Sequence, residues 1–264
     1  MKVTMKFAGA VFSVSLALGL SQSAWSNITD VVDLGAGNLS FDYGSSGFGS
    51  LTAWYVLPSG TESSFGVAGA SGLSFNAQVS PPLPLGPGGT AQLLVTFDLT
   101  NTKGSATQPM KFIAEVDPNG ADDRLDTPAS HMVIGAHEPD RFEIDNATPV
   151  PSLLDQNIVN GQLNNAIAPA CQSQPCDVDF ALQWNIPALQ PGETSRVIVS
   201  LSDDGQHNSA SFLSATHVLP DDEEILTFSG TAQVVPEPET WLLLGAGIGV
   251  MVLGYARRRE RARG

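Results

Sequence analysis

The sequence contains few basic residues. There are 12 Lys and Arg against 27 Asp and Glu in 264 residues, which gives a formal net charge of −15. Proteins that bind nucleic acids neutralise phosphates with Lys and Arg. The deficit therefore excludes nucleic acid as a partner.

Cysteine is also scarce, because Cys171 and Cys176 are the two in the chain. This number excludes a disulfide-dense scaffold, and a zinc site would need more ligands nearby. A redox CxxC site has two intervening residues, whereas this pair has four. We expect a local structural disulfide between Cys171 and Cys176, with little gain from closing so small a loop.

Glycine and proline, in contrast, are frequent. The 26 Gly and 18 Pro argue against a helical bundle, since both residues destabilise helix interiors. The hydrophobic content of 42% is high enough for a packed core and argues against disorder throughout. The composition therefore favours a turn-rich β protein.

Alternation of apolar and polar residues locates the strands. Residues 177–186 alternate over their whole length, which is typical of a half-buried antiparallel strand, and residues 92–99 do the same. Weaker strand patterns occupy 51–57, 73–80, 110–117, 132–136, 141–145, 196–202, 209–218 and 225–235.

These strands predict the fold class. About ten short strands separated by turn residues, without a convincing amphipathic helix, predict an all-β, antiparallel β-sandwich over 27–234, immunoglobulin-like or jelly-roll-like. Residues 146–176 have no strand pattern and form a crossover loop or a linker between two smaller domains. We favour one domain.

The N-terminus has the pattern of a signal peptide over residues 1–26. Lys2 and Lys6 precede an apolar stretch from Phe7 to Leu20, and small residues stand before a cleavage point after Ser26 or, alternatively, after Ala24. The apolar stretch is shorter than the ~20 residues of a spanning helix. We expect signal peptidase to cleave here and the chain to be exported.

The C-terminus has a longer apolar run. Seventeen uncharged residues lie between Glu239 and Arg257, and as a helix they would span about 25 Å. This length predicts a single transmembrane helix at 241–256, with the following arginines on the cytoplasmic side and the body on the other.

The same end resembles the PEP-CTERM sorting signal of Gram-negative bacteria over residues 235–263. The features that carry the resemblance are a proline-glutamate-proline motif, a short Gly-rich apolar helix and an arginine cluster, in that order: Pro236, Glu237, Pro238, Arg257, Arg258 and Arg259. The resemblance implies recognition by an exosortase, a membrane-embedded transpeptidase-like enzyme that removes the tail. It also implies transient insertion in the inner membrane, then transfer to the cell surface or extracellular matrix of polysaccharide-producing bacteria.

The charge is unevenly distributed between the body and its ends. Residues 27–236 contain 24 acidic and five basic residues, a net charge of −19. Such a surface repels anionic polymers unless cations bridge them. The acidity therefore belongs to the exported body, and most of the arginines belong to the sorting signal.

An acidic turn is the strongest candidate for a chemical site. Ca²⁺ takes six to eight oxygen ligands, and an acidic turn with Asn and Gly can supply several. The candidate calcium ligands are Asp117, Asn119, Asp122, Asp123 and Asp126. The spacing departs from an EF-hand, and a solvated acidic turn is the alternative.

No motif of a nucleophilic or nucleotide-binding enzyme occurs in the sequence. The leading hypothesis is therefore a non-enzymatic surface or matrix protein that acts in adhesion or in association with extracellular polysaccharide, as in a biofilm, without a required cofactor. The alternative is a secreted carboxylate-dependent hydrolase, stabilised by calcium, because paired carboxylates from distant positions leave no local motif. Trp54 and Trp184 could stack on sugar rings or belong to the core.

Overall fold

The computed structural model describes ten segments of the chain. They are residues 28–35, 38–43, 47–57, 62–64, 72–80, 92–119, 128–147, 151–173, 175–218 and 223–235. The predicted signal peptide, the proline-glutamate-proline motif and the predicted transmembrane helix lie outside these segments. No helix within them is long and apolar enough to cross a membrane.

Most of the regular structure in the described segments is β-strand. The strands are β1 (Thr29–Gly35), β2 (Asn38–Tyr43), β3 (Gly47–Val56), β4 (Glu62–Ser64), β5 (Leu73–Ser80), β6 (Leu93–Asn101), β7 (Met110–Asn119), β8 (Ala129–His131), β9 (Arg141–Asn146), β10 (Ala166–Ile167), β11 (Val178–Ile186), β12 (Thr194–Ser202), β13 (Phe212–Val218) and β14 (Glu223–Val235). Two short helices, α1 (Leu153–Val159) and α2 (Pro169–Ser173), lie between β9 and β11. The predicted all-β composition is confirmed.

The strands form two sheets. The first has the order β1-β2-β3-β7-β11-β9-β10 with β4 paired to β3, and the second has the order β5-β6-β12-β14-β13-β8. The β9 to β10 pair is parallel and the other pairs among the described strands are antiparallel.

The apolar faces of the two sheets share one core. Phe97 of the second sheet lies 5.2 Å from Phe112 of the first between ring centroids, and Phe112 lies 5.9 Å from Trp184. All three side chains are buried, as the alternating patterns predicted for these strands. Trp184 is therefore a core residue and is not available to stack on a sugar.

The segment between β9 and β11 departs most from the sequence analysis. We predicted no helix there, but Ser152 caps α1 by accepting from the Asp155 amide at 3.0 Å, while Asp155 accepts from the Ser152 amide at 2.7 Å. This capping box stabilises a helix of only two turns, too short to show a clear period in the sequence.

The predicted strand at 132–136 is wrong, because the strand in this region is β8 and ends at His131. Residues 132–135 follow it as irregular chain, in which Met132 packs against the core while Val133 and Ile134 are exposed. Alternation was short in this stretch, and a five-residue apolar run does not distinguish a strand from an exposed loop.

The core packing predicts the effect of one glycine substitution. A Cβ atom on Gly230 would lie 2.8 Å from the Ile198 carbonyl oxygen and 2.9 Å from the Trp184 ring. Because neither group can move without disturbing the sheet or the core, Gly230→Ala should lower the free energy of unfolding by about 1–3 kcal/mol. Gly104→Ala, with nothing within 4 Å, is the matched control. Equal urea midpoints for the two variants would contradict this packing.

Candidate functional site

Acidic side chains from three neighbouring strands meet on the outer face of the first sheet. Each strand contributes an acid-apolar-acid triplet, in which the apolar residue enters the core and the acids face outward. The triplets are 115–117 on β7, 143–145 on β9, and 177–179 at the start of β11. We call Glu115, Asp117, Glu143, Asp145 and Asp179 the carboxylate cluster.

The strand register places these acids in two rows. Asp179 is directly opposite Asp145, and the pairing of β11 with β7 brings Asp179 into hydrogen-bond contact with Asp117. In the next row, Ala181 lies between Glu115 and Glu143. Like charges directly opposite one another destabilise a sheet when they are ionised. The cluster therefore requires protons, cations or hydrogen-bond donors.

Residues 151–165, which we call the covering segment, pack over part of this face. Leu154 and Ile158 of α1, together with Leu163, form a second small core on Ile113 and Ala181. This packing corrects the prediction that β11 is half-buried, since only Asn185 of that strand is exposed.

Two members of the cluster are bound by the covering segment. Glu143 accepts from the Asn157 side chain at 2.8 and 3.0 Å, from the Asn164 side chain at 2.8 Å and from the Asn164 amide at 3.0 Å. Asp145 accepts from the Leu154 amide at 2.8 Å. Burial raises the pKa of Glu143, and the bonds from Asn157 and Asn164 oppose that increase. These two acids hold the covering segment on the sheet.

The other three members, Glu115, Asp117 and Asp179, lie close to further carboxyl groups. Burial, followed by the charges of Asp155 and Asp117, raises the pKa of Glu115 to about 8. Burial and then the charge of Glu115 raise the pKa of Asp179, whose side chain is 7% exposed. The Oδ1 atom of Asp179 has no hydrogen-bond donor among the described residues. This part of the cluster is arranged to keep a proton at neutral pH or to accept a cation.

The basic side chains of the described residues bind elsewhere. Lys111 donates to the Gly161 carbonyl at 2.6 Å and Arg141 donates to the Leu163 carbonyl at 2.9 Å, so both hold the C-terminal end of the covering segment. Arg196 forms a bidentate ion pair with Asp98 in the second sheet, at 2.7 and 2.9 Å. Lys111, Arg141 and Arg196 therefore serve the covering segment and the second sheet.

Two of the five predicted calcium ligands lie on β7. Asp117 belongs to the carboxylate cluster, and Asn119 is the last residue of β7. Asp122, Asp123 and Asp126 lie outside the described residues. Within the described segments, no group of three or more His, Cys, Asp or Glu side chains is arranged to hold a metal ion. The calcium hypothesis therefore stays a prediction.

The disulfide prediction is confirmed. Cys171 and Cys176 are bonded, with their Cα atoms 5.1 Å apart, and both are buried in the core that the two sheets share. The bond closes the chain between α2 and β11 close to the cluster. The disulfide is structural, because it fixes the segment that leads from α2 into β11.

Comparison with protein families identifies the C-terminal end. The model of the PEP-CTERM protein-sorting motif matches residues 234–260. This match confirms the resemblance seen in the sequence and indicates an exported protein that an exosortase processes. No curated protein matches the chain. The match begins at Val234, which is still paired with Ser195 in the second sheet.

The buried carboxylates predict an unusual dependence of stability on pH. In the unfolded chain Glu115 and Asp179 lose their protons near pH 4, whereas the folded protein retains them at higher pH. Between these limits the folded state binds more protons than the unfolded state, so the free energy of unfolding should fall as pH rises from about 5 to about 8.

Asp179→Asn should make the fall in the free energy of unfolding with rising pH shallower, because the amide has nearly the same shape as the carboxyl group and does not ionise. Urea unfolding at several pH values measures this free energy. Asp98→Asn, in the second sheet, is the control and should retain the dependence of the unsubstituted protein. A wild-type stability that is constant or increasing over this pH range would contradict the burial of ionisable carboxyl groups described above.

Proposed function

We propose that this protein is a non-enzymatic component of the bacterial surface or extracellular matrix, with a body that is a two-sheet sandwich. The single observation that supports delivery of the protein to the surface is the PEP-CTERM sorting motif at 234–260. Export and exosortase processing follow from that motif. The role in adhesion or in polysaccharide association is our inference from the destination and from the charge of the body.

The proposed route has three stages. A signal peptide at 1–26 directs export and is removed by signal peptidase. A helix at 241–256 then holds the precursor in the inner membrane, with Arg257 to Arg259 on the cytoplasmic side. The exosortase finally releases the body by acting at the segment that contains Pro236, Glu237 and Pro238.

The proposed mode of action depends on cations. A body with a net charge of −19 repels acidic polysaccharides, and divalent cations would allow contact between the two. We propose that Asp117 and Asp179 provide one such calcium site together with the acidic turn that follows β7. The support for this site is the hydrogen-bonded contact between the two carboxyl groups and the donor-free Oδ1 atom of Asp179. Oxygen ligands of this kind suit Ca²⁺.

A carboxylate-dependent hydrolase is the second candidate. It is favoured by the raised pKa of Glu115, since a carboxyl group that stays protonated near neutral pH can act as a general acid. The burial of Asp179, at 7% exposure, restricts access of a substrate to the paired group. Polysaccharide cleavage by the purified protein that is lost in Glu115→Gln would favour this candidate over the non-enzymatic role.

Replacing Pro236, Glu237 and Pro238 together with alanine should leave export intact and retain the precursor in the membrane. The substitutions remove the recognised motif and leave the signal peptide unchanged. Fractionation of cells and immunoblotting measure the ratio of membrane-bound precursor to released protein. Gly104→Ala, outside the matched residues 234–260 and with nothing within 4 Å of an added Cβ atom, is the control and should be processed normally. Release of the triple variant at the unsubstituted rate would refute the sorting assignment.

Calcium should stabilise the body if the site exists. A ligand at 100 times its dissociation constant adds about 2.7 kcal/mol. For a body of this size that corresponds to a melting temperature higher by roughly 5–10 °C. Calorimetry in calcium and in chelator measures the shift.

Asp117→Asn should remove the calcium response, and Asp98→Asn should keep it. The second variant also loses a carboxylate, but on the other sheet. Equal melting temperatures of the unsubstituted protein in calcium and in chelator would dispose of the calcium site.

A further inference from the structure

The loop that joins β8 to β9 exposes apolar side chains that the fold does not bury. Ile134 is 105% exposed and Val133 is 38% exposed. Both belong to the run 132–136, which the sequence pattern predicted to be a strand. Single exposed apolar residues are normal on protein surfaces, whereas contiguous ones can mark a site of contact with another molecule.

Hydrogen bonds hold this loop in place. The Val133 amide donates to the Ser211 hydroxyl at 2.9 Å, and that hydroxyl donates to the Val133 carbonyl at 3.2 Å. Glu138, at the other end, accepts from the amides of Ala210 and Ser211 at 3.1 and 2.8 Å. The exposed side chains are therefore presented from a defined position on β13 and its preceding turn.

The same loop lies alongside the end of β14. The Ala232 amide donates to the His137 carbonyl at 2.9 Å, and the His137 ring contacts the Ala232 carbonyl at 2.9 Å. Residues 135–137 and 232–234 line one cavity of about 200 Å³. Val234, at this end of the strand, is 38% exposed. The apolar loop and the last residues of the body thus form one surface.

The sorting motif begins on that surface without a spacer. Val235 is paired with Thr194 in the sheet, and Pro236 is the next residue. An enzyme that binds residues 236–238 must therefore approach the end of β14 closely. Trp241, where the apolar run begins, is six residues beyond Val235, and that length of chain reaches at most about 20 Å.

We propose that Val133, Ile134 and Val234 form a docking surface for the exosortase that processes this protein. The inference rests on the proposed function, since it requires a membrane-held precursor. We favour the enzyme over lipid as the occupant of this surface. The enzyme must bind residues 236–238, directly after Val235, whereas the apolar run that enters the bilayer begins only at Trp241. The negative body is also repelled by anionic headgroups. A small apolar contact suffices here, since the membrane anchor already holds both partners at high effective concentration.

The first test compares processing rates of the full precursor in cells that contain the exosortase. Ile134→Ser should slow release about tenfold. The reason is that serine loses most of the apolar area that the isoleucine side chain would bury against the enzyme. The melting temperature of the variant should not change, because the side chain makes no core contact. Leu153→Ser, at a residue 52% exposed on the covering segment, is the matched control and should be released normally.

Two outcomes of this experiment are distinguishable. If the triple substitution of residues 236–238 blocks release while Ile134→Ser is released at the unsubstituted rate, the docking surface is overturned and the sorting assignment stands. If the triple variant is released normally, the sorting assignment fails, and the docking inference fails with it.

A second test identifies the occupant directly. In the precursor with Ile134→Cys, a membrane-impermeant thiol reagent should react at least several times more slowly when a catalytically inactive exosortase is present than when the enzyme is absent. Leu153→Cys should react equally in both conditions. Equal reaction at both positions would overturn the proposal, and protection of position 134 without the enzyme would assign the surface to lipid and overturn it as well.

Discussion

The central constraint in this structure is that β11 is covered on both faces. Its inner face packs in the core through Phe180, Leu182 and Trp184, and the covering segment of residues 151–165 lies over much of its outer face. Polar groups on the covered part of the outer face must therefore find a partner without water. Gln183 does so by accepting from the Leu163 amide at 3.0 Å. The carboxyl group of Asp179 meets other carboxyl groups instead.

This constraint links the fold to the proposed function. Glu143 and Asp145 use their negative charge to bind the covering segment, so they are part of the fold. Glu115, Asp117 and Asp179 are held together at a free-energy cost that a proton or a cation removes. The chain places five of its 12 basic residues in the sorting tail, so the body keeps few cations of its own. We expect its stability to respond to pH and to divalent cations outside the cell.

Much of the fold could be predicted from local pattern, but the site could not. Alternation located β11 and β6, whose inward residues form the core, whereas α1 is too short to show a helical period. The run 132–136 was wrongly predicted as a strand, because Val133 and Ile134 are exposed on a loop and only Met132 packs against the core. The acid-apolar-acid triplets at 115–117, 143–145 and 177–179 were visible as same-face acids on three strands. Their meeting depends on the order β7-β11-β9, which is set by tertiary pairing and not by any local signal.

The most direct test of this account is an NMR titration of the side-chain carboxyl carbons of the folded protein in chelator. We expect Glu115, whose pKa is raised to about 8, to titrate near that pH, and Asp179 to titrate well above the ordinary range of an aspartate. We also expect saturating calcium to lower the apparent pKa of Asp179. Titration of both groups near pH 4 in chelator would contradict the central claim that the covering segment and the strand register force these carboxyl groups together out of water.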